Sequence, residues 1–376
     1  MSAGFSRRSF LHVAAGAAAV AGPLGRGLGP IAFAQQLPAP PGLPEPIIPI
    51  ARRATVSLVK GESRRKNITE ALVRIDQQIA PLLARKKYVV IKPNNVSANN
   101  QLACTHVDAV NGILDYLEPR FKGRVVIAES SAGDTLWGYD ALKYSRLPAE
   151  RKSQQIQLVD LNREAKYEPL PLLSQDLRVD RVRLAARLLD PDAFVICSAV
   201  FKTHNVCVAT LSVKNMVLGA PLHGVKGEHW SDKRKYHTGV RGTNFNMMLT
   251  AQKMAPFWGA AVIDGFEGME GNGPGSGTPV PSRLAVASTD YIAADRVAAE
   301  CMGINPLWIA HLQWCWQAGL GQYDIGKIDI HGEKIADVRR PYRLHPDIER
   351  ELRWIGPLED VEKPLGSLLQ TSPVRG

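Results

Sequence analysis

Five cysteines, Cys104, Cys197, Cys207, Cys301 and Cys315, are spread along the chain, and no two of them form a C-x-x-C pair. That absence excludes the cysteine runs of iron–sulfur clusters and zinc ribbons. Cys197, Cys301 and Cys315 lie in apolar surroundings and are expected to be core thiols. The odd count leaves at least one thiol free in any disulfide scheme. After residue 34 no apolar run reaches the roughly 18–20 residues needed to span a membrane. There is no G-x-S-x-G elbow, Walker loop or dinucleotide fingerprint, and no repeat that would mark a solenoid. The formal charge of +10 is spread rather than blocked; Lys60–Lys66 and Lys226–Lys235 are the densest basic stretches. Nucleic acid is therefore not an expected partner, whereas a small anion or a solvated face is.

What is present begins with the leader. Ser6-Arg7-Arg8-Ser9-Phe10-Leu11 has a twin-arginine pattern, His12 to Gly22 is rich in small apolar residues, and Ala32-Phe33-Ala34 offers a cleavage site before Gln35. An uncleaved anchor is the other reading, but the apolar stretch is short, Gly-rich and broken by Pro23 and Arg26. Residues 1–34 are thus expected to be a twin-arginine signal peptide, with the twin-arginine translocase as a partner and the periplasm as the destination. Losing Arg7, Arg8 and Arg26 and no acid would lower the charge from +10 to +7. Residues 35–52 read as a Pro-rich linker, 53–335 as the folded domain and 336–376 as a polar tail.

Within the domain, apolar runs alternate with helical spacing. Strands are expected at Thr55–Val59, Tyr88–Ile91, Arg124–Ala128, Ile156–Val159, Ala193–Ala199, Ala260–Ile263, Leu284–Ala287 and Ile328–Ile330. Helices are expected at Asn67 to Leu83, His106 to Leu117, from Val206 to Val217, Thr243 to Met254, Tyr291 to Met302 and Leu307 to Ala318. Leu161 to Arg183 has no clear pattern. This alternation predicts a single large α/β domain, a mostly parallel sheet with helices on both faces.

Four strands share one grammar, an apolar run followed by a polar cluster: Lys92–Asn95, Glu129–Asp134, Lys202–Asn205 and Asp264–Glu270. Any one of them alone is read as a turn. If the strands are parallel, however, all four emerge at one sheet edge, where ligands collect. Lysines and carboxylates have no special place in turns, so a site is the better account. Residues 264–277 hold six glycines, whose bare backbone suits either an anion or a lid. Their carboxylates would also suit a divalent metal, its identity unknown.

Lys214 raises a question of distance. If a helix begins at Asn205, Lys214 lies about 13 Å further along its axis. It then serves another part of a long ligand or a structural ion pair, unless the helix starts later. His223, His229 and His237 have no i,i+4 pair and read as solvated loop histidines. Cys104-Thr105-His106 could be a nucleophile pair, but Thr105 as a helix N-cap is the simpler reading.

Several segments together resemble the family called domain of unknown function 362. They are Val90-Ile91-Lys92-Pro93-Asn94, Ala128-Glu129-Ser130, Lys202-Thr203-His204, Leu211-Ser212-Val213-Lys214-Asn215, Val262-Ile263-Asp264-Gly265, Glu270-Gly271-Asn272-Gly273-Pro274 and Ala294-Asp295-Arg296-Val297-Ala298. They run from about Arg53 to Gly303. Many members of that family append ferredoxin-like cysteine clusters, and this chain departs from them there.

The residues point to an exported enzyme acting on a small carboxylate or phosphate, with a divalent metal as an optional partner. The catalytic candidates are Lys202, His204, Glu129, Asp264 and Glu270; the substrate-binding candidates are Lys92, Asn94, Lys214, Asn215, Gly271 and Gly273. The alternative is a non-catalytic cofactor-binding or redox accessory protein. A solute-binding protein would need two lobes and a hinge, for which the sequence gives no sign.

Overall fold

The computed structural model describes residues 50–355 except 165 and 226. The expected signal peptide, nearly all of the linker and the end of the tail lie outside the described residues. The strands are β1 (Ala54–Lys60), β2 (Tyr88–Lys92), β3 (Arg124–Glu129), β4 (Gln155–Asp160), β5 (Tyr167–Leu173), β6 (Val179–Ala185), β7 (Ala193–His204), β8 (Val208–Thr210), β9 (Trp258–Glu270), β10 (Thr278–Val280), β11 (Leu284–Ser288) and β12 (Ile328–Gly332). Helices of eight residues or more are α1 (Arg64–Val73), α2 (Asp76–Leu83), α3 (Val107–Leu117), α4 (Ser212–Gly219), α5 (Gly239–Met254), α6 (Tyr291–Cys301) and α7 (Ala310–Gln317).

Ten strands form one sheet in the order β12-β1-β11-β9-β7-β2-β3-β4, with β10 hydrogen-bonded to β9 and β8 to β7. From β4 to β9 every neighbour is parallel. β11 runs against both β9 and β1, and β12 is parallel to β1. The mostly parallel α/β domain read from the alternation is therefore the fold, with one antiparallel strand inserted towards one edge.

Parallel strands are buried on both faces, so they read as continuous apolar runs. Alternate residues then face opposite layers. Val89, Ile91, Val125, Ile127, Phe194, Ile196, Ala260 and Val262 share a core with Ile68 and Leu72 of α1, Ile79 of α2 and Ile113 and Leu114 of α3. On the other face α4 lies over Cys197, whose sulfur is 3.5 Å from Ser212 O, and Tyr291 of α6 donates its hydroxyl to Ala260 O. All five cysteines are buried free thiols.

Several local expectations change. The helix expected over Asn67 to Leu83 is two helices, α1 and α2. No helix runs from Val206; the chain turns back as β8, and α4 starts only at Ser212. β9 does not stop at Ile263 but continues to Glu270 and pairs with β10, so half of the expected Gly-rich loop is a hairpin. The patternless Leu161–Arg183 stretch holds most of a separate β5–β6 ribbon. Thr105 does not cap α3; His106 Nδ1 accepts from Asp108 N instead. Thr105 is buried and donates to Ser198 O. Beyond residue 336 the described chain packs on the domain: Tyr342, Leu344 and Trp354 are buried, and Trp354 Nε1 donates to Trp308 O.

Candidate functional site

Lys92, Glu129 and His204 are the last residues of β2, β3 and β7, which stand side by side and point the same way. A cavity of about 220 Å³ lies at these strand ends, lined by Lys92, Asn94, Glu129, His204, Lys214, Asn215 and Lys233 among others. The volume falls below the roughly 300–1,000 Å³ of drug-sized pockets, which limits an occupant to a small molecule.

A buried polar floor holds the cavity in shape. Lys92 Nζ donates to Glu129 Oε2 at 2.9 Å, Asn215 Oδ1 at 2.8 Å and Pro93 O at 2.9 Å. Glu129 Oε1 accepts from Ser130 N. Asn94 Nδ2 donates to Asn215 Oδ1, and Asn94 Oδ1 accepts from Lys202 Nζ, both at 2.9 Å. Lys202 also donates to Ala103 O. Lys202 thus lies beneath the cavity, supporting Asn94, rather than in its wall. Gly219 makes the packing possible: a Cβ there would stand 2.0 Å from Lys92 Nζ.

Late helix initiation answers the question raised by Lys214. The short β8 hairpin uses up the residues after His204, so Lys214 falls in the first turn of α4 and reaches the same cavity as His204. Asp295 of α6 fixes that helix: its carboxylate accepts from Ser212 N at 2.7 Å, Val213 N at 3.0 Å and the Ser212 hydroxyl at 2.6 Å. This is N-capping by a neighbouring helix. Burial still raises the Asp295 carboxyl to about 7.

Cationic groups dominate the cavity. Lys92, Lys214 and Lys233 line it against the single carboxylate of Glu129. Lys92 is matched by Glu129, and Lys233 Nζ donates to Leu218 O. Lys214, only 6% exposed, makes no hydrogen bond or ion pair among the described residues. Burial, reinforced by Lys92, lowers its pKa below the ordinary lysine value. Burial and the neighbouring Lys214 push Lys202 down to about 7, and burial takes Lys233 to about 7 as well. Burial raises the Glu129 carboxyl, with Lys92 and Lys233 pulling the other way. His204 is held well below the usual histidine range by burial and by Lys214 and Lys202. Its Nδ1 accepts from Val206 N; with the ring neutral, the proton sits on Nε2, which makes no hydrogen bond among the described residues.

Two acids expected at the site are elsewhere. Asp264 lies within β9, with the parity of Ala260 and Val262, and so faces α1, where Arg64 Nε is 2.9 Å from its Oδ2. Glu270 ends β9 and accepts from Arg343 N at 2.8 Å. Neither lines the cavity. Gly271 and Gly273 are not lining residues either, although Pro274 is. Gly273 passes so close to β7 that a Cβ would sit 1.8 Å from Thr203 O; its role is close approach. The residues that the sequence reading passed over are Lys233, hidden in the basic Lys226–Lys235 stretch, and Asp295, which acts at one remove. Among the described residues no group of three His, Cys, Asp or Glu side chains converges as a metal shell.

Comparison with known families agrees with these landmarks. The sequence model of the family Domain of unknown function (DUF362) matches residues 89–300, more than half of the chain. The chain belongs to this family. DUF362 membership covers the β2, β3 and β7 strand ends, α4 and Asp295 together. No curated protein matches the sequence. Among solved structures, a crystal structure of a Thermotoga maritima protein from a structural genomics consortium aligns with a TM-score of 0.40 and 9% identity. The alignment covers 69% of this chain and 60% of the other. Among the described residues, no helix is long and apolar enough to cross a membrane.

Proposed function

We propose that this DUF362 chain is an exported enzyme that binds a small carboxylate or phosphate at the β2–β3–β7 strand ends and acts on it by proton transfer. One observation carries the reading: three lysines and one carboxylate surround a cavity of about 220 Å³, the carboxylate is taken by Lys92, and among the described residues Lys214 and Lys233 have no ion-pair partner, Lys214 having no hydrogen-bond acceptor either. A buried, unpaired cation is costly. A bound anion supplies the missing partner, in a setting where water screens it little. In this reading Lys214 and Lys233 take the substrate charge. The His204 Nε2–H donates to a substrate oxygen, and Glu129, with its raised pKa and its hydrogen bond to Lys92, is the acid/base. Asp264 and Glu270 drop out of the catalytic set. A cavity with this charge balance disfavours a divalent cation, because three lysines line it and its one carboxylate is already held by Lys92.

Titration calorimetry with inorganic phosphate and with a panel of small carboxylates tests the binding. Lys214→Ala and Lys233→Ala are each expected to weaken it tenfold or more, about 1.4 kcal/mol. Unchanged affinity in both variants removes the proposal. Export rests on the Arg7-Arg8 leader. Residues 1–34 fused to a reporter are expected to direct it to the periplasm, and Arg7→Lys with Arg8→Lys to retain it in the cytoplasm.

A further inference from the structure

The lysines that line the cavity and the one beneath it are not equivalent. Lys92 has three acceptors, Lys202 two and Lys233 one. Lys214 alone among them is without an acceptor among the described residues, although it is buried in the cavity wall. A lysine meant only to bind charge gains from fixed partners that keep it protonated. A lysine stripped of acceptors, desolvated and set among other cations is instead poised to lose its proton, which makes the amine a nucleophile. Burial lowers the Lys233 pKa as well, but its Nζ is tied to Leu218 O, so Lys214 is the cavity lysine whose amine is free to meet the ligand as an ammonium and then react as the amine.

We infer that Lys214 forms an imine with a substrate that carries a carbonyl next to its acid group, a 2-oxo acid or an aldehyde of similar size. The inference deepens the anion-site reading and rests on it. The neutral Nζ adds to the carbonyl carbon; the C–N bond forms as the C=O π pair moves to oxygen. The two protons of the amine pass to that oxygen, which leaves as water while the C=N bond forms. Atoms and electrons balance with no further reactant. His204 Nε2–H and the Glu129 carboxyl line the same cavity and are the groups available to relay those protons. The lowered pKa of Lys214 agrees with this role.

The test uses the full mature chain with pyruvate as the probe. Pyruvate and sodium borohydride are added together, and the product is read by intact mass and peptide mapping. Pyruvate affinity is measured separately by calorimetry without reductant. The expected result is one reduced pyruvyl adduct, on Lys214, suppressed by excess phosphate. Lys214→Arg, which keeps the cation and removes the nucleophile, is expected to lose the adduct while binding phosphate more tightly than Lys214→Ala does. If pyruvate binds in competition with phosphate but borohydride traps nothing, or traps another lysine, the imine is overturned and the anion site stands. If neither pyruvate nor phosphate binds, both fall.

Discussion

Glu129 and Asp264 are two buried acids with similar sequence settings, each ending an apolar run, yet they do different work. Glu129 is 1% exposed and closes β3, with Lys92 as its partner at the cavity floor. Asp264 is 3% exposed and lies in the middle of β9, locked to Arg64 under α1. The difference is where the strand stops. β3 ends at Glu129, so the carboxylate stands at the parallel edge; β9 runs on for six residues, so the carboxylate faces a helix. An acid after a hydrophobic run therefore belongs to a site only if hydrogen bonding to the neighbouring strands ends there.

The largest expected effect is on the structural acid. Asp264→Ala leaves Arg64, only 13% exposed, without its counter-charge, and should destabilise the domain by about 3–5 kcal/mol. Urea unfolding measures that loss, while phosphate affinity in the folded variant should be unchanged. An equal loss of affinity would place Asp264 back in the site and break the comparison.

Next comes pH. Lys202 has a folded pKa of about 7 against an ordinary value of 10.5, so between those values the unfolded chain binds the extra proton. Stability should rise as pH increases through that window, on the order of a few kcal/mol. Anion affinity should fall over the same range as the cavity discharges. Lys202→Met should remove about half of the stability slope, because Lys233, also lowered to about 7, supplies the rest. A slope unchanged in that variant would assign the rise to another group.

Smaller again, Lys214→Met replaces an unpartnered buried cation with an apolar chain of similar length and should stabilise the domain by about 1–2 kcal/mol. A loss of stability would mean that Lys214 is structural. Smallest is Glu270→Gln. The ion pair with Arg343 is 3.7 Å long and Arg343 is 46% exposed, so less than about 1 kcal/mol should be lost, with no change in binding.

The parallel half of the sheet was legible because buried strands need unbroken apolar runs. Val89–Ile91, Val125–Ala128 and Ala193–Val200 supply them, and the clusters behind them converge as parallel pairing requires. The far half of β9 was not, because Gly265, Glu267, Gly268 and Glu270 look like loop chemistry. That stretch is held by pairing with β10 and by contact with Phe201 and Tyr342, where Gly265 and Gly268 leave room for aromatic rings. β8 is only three residues long, too short to carry a period, and missing it misplaced the start of α4. Lys233 was unreadable for another reason: in a basic loop, one lysine among several carries no mark of which will be drawn inward.

The gap left by Gly219 ties two distant positions into one unit of inheritance. Residue 92 comes from a strand and residue 219 from a helix end, yet the ammonium fills the space where the second would carry a side chain. In homologous sequences, a methyl or larger group at 219 should therefore travel with a shorter residue at 92. Pairs that keep both Lys92 and Gly219 would mark the members able to hold this charge arrangement, and so would sort the family by chemistry before any assay.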